Sequence, residues 1–155
     1  MAKTVADVMS HEPIMVAPET PLKEAIKILV DRRISGLPVV DDAGKLVGII
    51  SETDLLWQET GVEPPAYIIF LDSVIYLENP ARHEKELHKA LGQTVGEVMS
   101  GAPVTVTPDE PLRKAAKLMQ EKAIRRLAVT DEAGKVIGIL TPGDIVRAMA
   151  AELEV

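Results

Sequence analysis

Two short stretches carry the residues best placed for chemistry: Gly48 to Asp54, reading GIISETD, and Gly138 to Asp144, reading GILTPGD. Each is an apolar run that ends on a hydroxyl residue, with an aspartate three positions later. Ser51 and Thr141 are good helix N-caps, and Pro142 stands where a first helical residue should, with a fixed φ and no N–H to lose. The pattern predicts a buried strand running directly into a helix N-terminus. Such a junction offers free backbone N–H groups and a partial positive charge, which suits a phosphate. Ser-x-x-Asp is also an ordinary capping pattern, and one copy alone does not decide between the two.

Other groupings carry less. His83-Glu84-Lys85-Glu86-Leu87-His88 superficially resembles the HExxH zinc motif, but its histidines are five apart. At ~100° per residue that puts the two rings ~140° apart around a helix. A spacing of four, which shares one face, is what the metal needs. His11 stands alone beside a turn. There are no cysteines, so a disulfide framework, a thiolate metal site and a Cys nucleophile are all excluded. No Gly-rich dinucleotide loop, Walker loop or Ser/His/Asp grouping appears, and nothing in the pattern argues for catalysis.

The elements that must position the two aspartates follow from a repeat. Shifted by 90 residues, Thr4–Asp54 lies over Thr94–Asp144 without a gap, and 22 of the 51 pairs are identical. TVADVMS meets TVGEVMS, and LPVVDDAGKLVGII meets LAVTDEAGKVIGIL. The chain is a tandem duplication with an insert between its halves. Within each half Ile14–Val16 and Val104–Val106 read as short strands, and Pro21 and Pro111 open a helix. Leu22, Ala25, Ile26 and Leu29, like Leu112, Ala115, Ala116 and Met119, recur at helical spacing. Leu37–Val40 with Leu46–Ile50, and Leu127–Thr130 with Val136–Leu140, flank the turn-rich breaks DDAGK and DEAGK and predict hairpins. Each half therefore reads strand, helix, strand, strand, helix.

Composition bounds the function classes. With 155 residues, 46% apolar and 26% charged, the chain has room for one well-buried domain or two small halves sharing a core. The net charge of −7 is spread evenly, with 6 basic and 9 acidic side chains in residues 1–57, 3 and 6 in 58–93, and 8 and 9 in 94–155. No segment is basic enough to follow a nucleic-acid backbone. The start lacks the apolar core of a signal peptide, and Ala66 to Leu77, interrupted by Asp72, is too short to span a bilayer. A cytoplasmic protein is expected, without membrane insertion.

The order of elements, the DVMS-type start, the Pro-x-x-Pro-Leu helix opening, the LPVVD-type strand, the Gly-Lys hairpin and the G-I-x-[ST]-x-x-D close together resemble the CBS domain. The resemblance spans both repeats and implies an α/β fold of the α+β type: two tandem βαββα repeats (4–57 and 94–150) packed with pseudo-twofold symmetry, with residues 58–93 as a central insert. It implies further that adenosine-containing ligands bind in clefts between the halves, that two chains pair, and that the module regulates an effector rather than catalysing. In that family the motif aspartate bonds the ribose hydroxyls and the hydroxyl residue lies near the phosphates, roles that fall here on Asp54 with Ser51 and on Asp144 with Thr141. A carboxylate can accept from two vicinal hydroxyls, so the assignment is chemically sound. Ile34-Ser35-Gly36 and Ile124-Arg125-Arg126 correspond to the adenine and phosphate wall, and Pro38 and Thr107 complete the implied ligand-binding set.

The halves differ. Ser35-Gly36 leaves room for a ring, whereas Arg125-Arg126 brings two permanent cations suited to phosphate, so the second-repeat site is expected to be the more phosphate-demanding of two. The alternative for the arginines is a solvated helix end. Ala128 replaces the proline found at 38, and Gly143 has no side chain to touch a ligand. The insert contains or adjoins all four aromatics, Trp57, Tyr67, Phe70 and Tyr76, and is too apolar for a free linker; it is expected to cover its own core or a partner subunit. Ala81–Leu91 reads as a charged helix ending at Gly92. The function expected is a regulatory sensor that needs no cofactor and takes an adenine nucleotide (AMP, ADP, ATP or similar) as ligand, with a ligand-free scaffold as the alternative.

Overall fold

Leu22, Ala25 and Leu29 form the buried stripe of the helix Leu22–Arg32 (α2), and Ala115 and Met119 that of its counterpart Leu112–Lys122 (α6). The computed structural model describes residues 3–61, 67–71, 73–76, 79–101 and 104–153. Ala66, Asp72, Leu77 and Pro103 lie outside the described residues, as do the side chains of Tyr67, Phe70, Tyr76 and His83; so do the questions of what the insert's rings cover and how the two helix histidines are oriented. Both helices end on a residue in the left-handed region, Arg33 at φ 53° and Ala123 at φ 53°. The amide after each bonds back into the last turn, Ile34 N–H to Leu29 O at 3.1 Å and Ile124 N–H to Met119 O at 3.0 Å, a closure that swings the chain sharply into the next strand.

Each hairpin forms as expected. Gly36–Val40 (β2) pairs antiparallel with Leu46–Ser51 (β3), and Leu127–Thr130 (β7) with Val136–Leu140 (β8). The turns are held by Asp41 Oδ1, which accepts from the amides of Ala43 and Lys45 at 2.9 and 3.0 Å, and by Asp131 in the same way. Gly44 and Gly134 take φ of 82° and 83° there, which few other residues tolerate. The two hairpin tips meet: Lys45 bridges Lys135, its own counterpart, so the pseudo-twofold axis passes between them.

The short strand after each Met-Ser is where the halves depart from the expectation. Thr105–Val106 (β6) pairs parallel with β7, whereas Ile14–Val16 reduces to a single bridge, Val16 to Val39. Val16 N–H donates to Pro38 O, but the next ladder bond would need a donor at position 38, and proline has none. Where Ala128 stands instead, pairing extends to Thr105.

Two further helices, Val5–Val8 (α1) and Val95–Val98 (α5), exchange between repeats. Val5 and Met9 pack with Val106, Ala115, Met119, Leu127 and Leu140, while Val95 and Val98 pack with Leu22, Ala25, Leu29, Leu37 and Ile50. Ser10–His11 (β1) pairs with β8, and Ser100 bridges Ile49 reciprocally. The start of each repeat thus completes the core of the other. The helices that follow the two hairpins are Glu52–Thr60 (α3) and Pro142–Leu153 (α7). The insert holds a small hairpin, Tyr67–Phe70 (β4) with Ser73–Tyr76 (β5), and the helix Pro80–Leu91 (α4), capped by Asn79 and ending at Gly92 as the sequence predicts. Among the described residues no helix is long and apolar enough to cross a membrane.

Candidate functional site

A cavity of about 990 Å³ opens between the repeats, at the upper end of the range usual for small-molecule sites. Repeat one contributes Ile34, Ser35, Gly36 and Pro38, brought there by the left-handed turn at Arg33; repeat two contributes Arg125, Arg126, Thr141 and Asp144. The two walls that the sequence assigns to separate sites therefore face one cavity. Ile124 instead packs on the second core, Thr107 Oγ1 donates to Asp109 Oδ1 at 2.7 Å, and Ser51 with Asp54 lies away from the cavity wall.

At the head of α7 the strand-to-helix junction is built as the motif predicts. Thr141 N–H donates to Asp144 Oδ2 at 2.9 Å and Asp144 N–H donates to Thr141 Oγ1 at 3.2 Å. This is a reciprocal cap, so the capping reading of the motif is right. It does not exhaust the carboxylate. Asp144 Oδ1 is not part of the cap, and among the described residues the one side chain bonded to it is Arg147, one turn along the same helix at 2.6 Å. A Cβ at Gly143 would stand 3.3 Å from an Arg147 terminal nitrogen, close enough to shift the guanidinium by a few tenths of an ångström. An ionised carboxylate has about four acceptor positions, and among the described residues two remain open on a group that is itself buried.

The cavity also carries cations. Arg126 lies across Gly36, where a Cβ would come within 2.6 Å of its Nε, and it donates to the Ser35 hydroxyl. A side chain at position 36 would therefore have to displace the guanidinium. Burial pushes the Arg126 pKa down; Glu52 pulls it up, Arg125 pushes it down again, and Asp54 pulls it up. A guanidinium stays charged even so, and a half-buried cation gains most from an anion brought to it. Arg33 and Arg147 also line the cavity, giving four arginines against Glu12, Glu52 and Asp144. In a chain of net charge −7 this local excess of positive charge marks the cavity as a place for an anion.

Sequence reasoning missed His11, Glu12, Arg33 and Arg147. His11 reaches the cavity because β1 pairs with β8 of the other repeat, with His11 opposite Gly138, and no periodicity within one half signals that exchange. Arg147 could have been found: it stands three residues beyond Asp144, on the same helix face. Among the described residues no group of three or more His, Cys, Asp or Glu side chains is arranged to hold a metal ion.

The sequence matches the CBS domain family over residues 5–58 and 95–151. CBSX2, a chloroplastic CBS domain-containing protein of Arabidopsis thaliana, is 37% identical over 149 residues, covering 94% of this chain. The chain spans 63% of that relative's length. The crystal structure of CBSX2 in complex with AMP superposes with a TM-score of 0.81 at 34% identity, covering 96% of this chain and 97% of that one. The CBS domain pair of protein MJ0100, solved with 5′-methylthioadenosine and S-adenosyl-L-methionine, gives 0.71 at 28% identity, covering 98% and 99%.

Proposed function

Because this chain belongs to the CBS domain family, we propose that it is a regulatory module that binds an adenosine-containing ligand in the cavity between its repeats. The observation that carries the reading is Asp144: a buried carboxylate with two acceptor positions open among the described residues, on a cavity that Arg125 and Arg126 also line. Asp144 would accept from the ribose hydroxyls, and the arginines would take a phosphate. The relatives solved with AMP and with S-adenosylmethionine support the ligand class.

The module is read as non-catalytic. In support, the Ser35 hydroxyl meets a guanidinium and Thr141 Oγ1 accepts a backbone amide, so neither is poised beside a base. Titration calorimetry with AMP, ADP, ATP, S-adenosylmethionine and cyclic dinucleotides tests the reading. One of them should bind, and the melting temperature should rise with its concentration, by about 2.7 kcal/mol of added stability at a hundredfold excess over Kd. No binding and no shift would leave the ligand-free scaffold; turnover of the bound compound would make the protein an enzyme.

Pairing of two chains belongs to the same proposal. Leu56 on α3 and Val146, Met149 and Leu153 on α7 are large apolar side chains on pseudo-equivalent helices, each more than half exposed, and burying them together would remove that surface from water. A monomeric mass by sedimentation at micromolar concentration would remove pairing from the proposal. Residence in the cytoplasm and an effector protein that reads the ligand are further parts of it, tested by imaging and by ligand-dependent co-purification.

A further inference from the structure

Asp54, the first repeat's counterpart of Asp144, has no acceptor left for a ligand. Its Oδ1 takes Lys89 Nζ at 2.6 Å and Ser100 Oγ at 2.7 Å; its Oδ2 takes the Ser51 amide at 3.0 Å and the Ser51 hydroxyl at 3.1 Å. All four positions of the carboxylate are filled. The ammonium is as fully matched, since its three protons meet Asp54, the Val98 carbonyl at 2.9 Å and Ser100 Oγ at 3.3 Å. In the second repeat the cation on the aspartate is Arg147, from the same helix. The residue at that place in the first repeat is Trp57, which carries no charge. The cation comes instead from α4, the insert helix, whose last turn is fastened to α3 by Gln58 Nε2 on the carbonyls of Lys89 and Gly92.

We infer that Lys89 is a built-in occupant of the Asp54 site. The chain therefore takes one adenosine-containing ligand rather than two, and undocking of α4 opens the second place. Among the described residues a sugar diol reaching Asp144 has only to turn aside Arg147, whose side chain is 73% exposed and held there by one partner. A diol reaching Asp54 has to strip a 21% exposed ammonium from three acceptors at once. The asymmetry makes α4 a latch: whatever moves the insert changes the number of ligands the module holds. This rests on the reading of Asp144 given above.

Titration calorimetry of the whole chain with AMP, at concentrations reaching millimolar, tests the two separately. The wild type should bind one AMP per chain, and Asp144→Ala should weaken that binding at least about tenfold; no binding by the wild type would defeat the Asp144 reading alone. Lys89→Ala should then raise the stoichiometry to two, and the double variant Lys89→Ala with Asp144→Ala should retain one. Gln58→Ala, which loosens α4 without stranding a charge, should create a second, weaker site and serves if Lys89→Ala does not fold. Two AMP per wild-type chain, or one bound with undiminished affinity after Asp144→Ala, overturns the inference. So does an unchanged stoichiometry in the Lys89 and Gln58 variants.

Discussion

Asp54 and Asp144 stand at the same place in two repeats that align without a gap, share the same backbone cap, and are both buried. They differ in where their cation comes from. Arg147 lies on Asp144's own helix with its guanidinium in solvent, whereas Lys89 arrives from an element that belongs to neither repeat and is sealed against Val98 and Ser100. One carboxylate is kept neutralised but reachable; the other has become part of the packing. A duplicated motif therefore specifies a local geometry twice without specifying the same use twice, and the insert decides which copy faces a ligand.

The largest expected effect breaks that comparison at the charges themselves. Lys89→Ala leaves Asp54 buried without its cation and should lower the unfolding free energy by ~3–5 kcal/mol. Arg147→Ala removes a partner that is mostly in water and should cost no more than ~1 kcal/mol. Urea denaturation of the two variants beside the wild type measures both. Equal losses would mean that the two pairs do the same structural work.

Next in size are effects on binding. Asp144→Ala should weaken the adenosine ligand by about 1.5–3 kcal/mol, the worth of a charge-assisted bond, on top of about 1 kcal/mol of stability lost with the cap. Unchanged affinity by calorimetry would leave only the cap. Replacing Arg125 and Arg126 together by alanine should weaken ADP and ATP far more than adenosine, and the affinity of the phosphorylated ligands should fall with added salt as partly exposed charges are screened. Equal weakening of adenosine and ATP would take the phosphate away from these residues. Both arginines face the same cavity as Ser35-Gly36, so this contrast is read within one site.

The sequence made much of this legible. The repeat, both hairpins with their Asp-Ala-Gly turns, the helices opened by Pro21 and Pro111 and the strand-to-helix junctions at Ser51 and Thr141 follow from local patterns of period two or 3.6, and the structure contains them. The exchange of α1 and α5 was hidden because four-residue helices have no periodicity to detect, and the partners of Val5 and Val95 lie about a hundred residues away or in the other half. Division of the candidates into two pockets failed for the same reason: Ser35 and Arg126 belong to different repeats, and only the pseudo-twofold packing brings the guanidinium onto the hydroxyl. Lys89 carried no signal at all. It sits in a charged helix where a solvated lysine is the ordinary case, and only tertiary docking distinguishes it.

The smallest expected effects come from another equivalent pair, Arg33 and Ala123, which hold the same left-handed φ of 53° at the ends of α2 and α6. A side chain in that region costs roughly 1–2 kcal/mol, which glycine avoids. Glycine gives back about 0.5–1 kcal/mol through the greater freedom of the unfolded chain. Both Arg33→Gly and Ala123→Gly should therefore raise stability by about 0 to 1.5 kcal/mol on these figures. They should part in binding. Ala123 does not line the cavity, and its replacement should leave ligand affinity where it was; Arg33 does, and losing its charge should weaken ATP while sparing adenosine. Thermal melts paired with calorimetry on the two variants separate backbone relief from charge. If Ala123→Gly also weakened ATP selectively, the turn's geometry rather than the arginine would be shaping the phosphate end of the cavity.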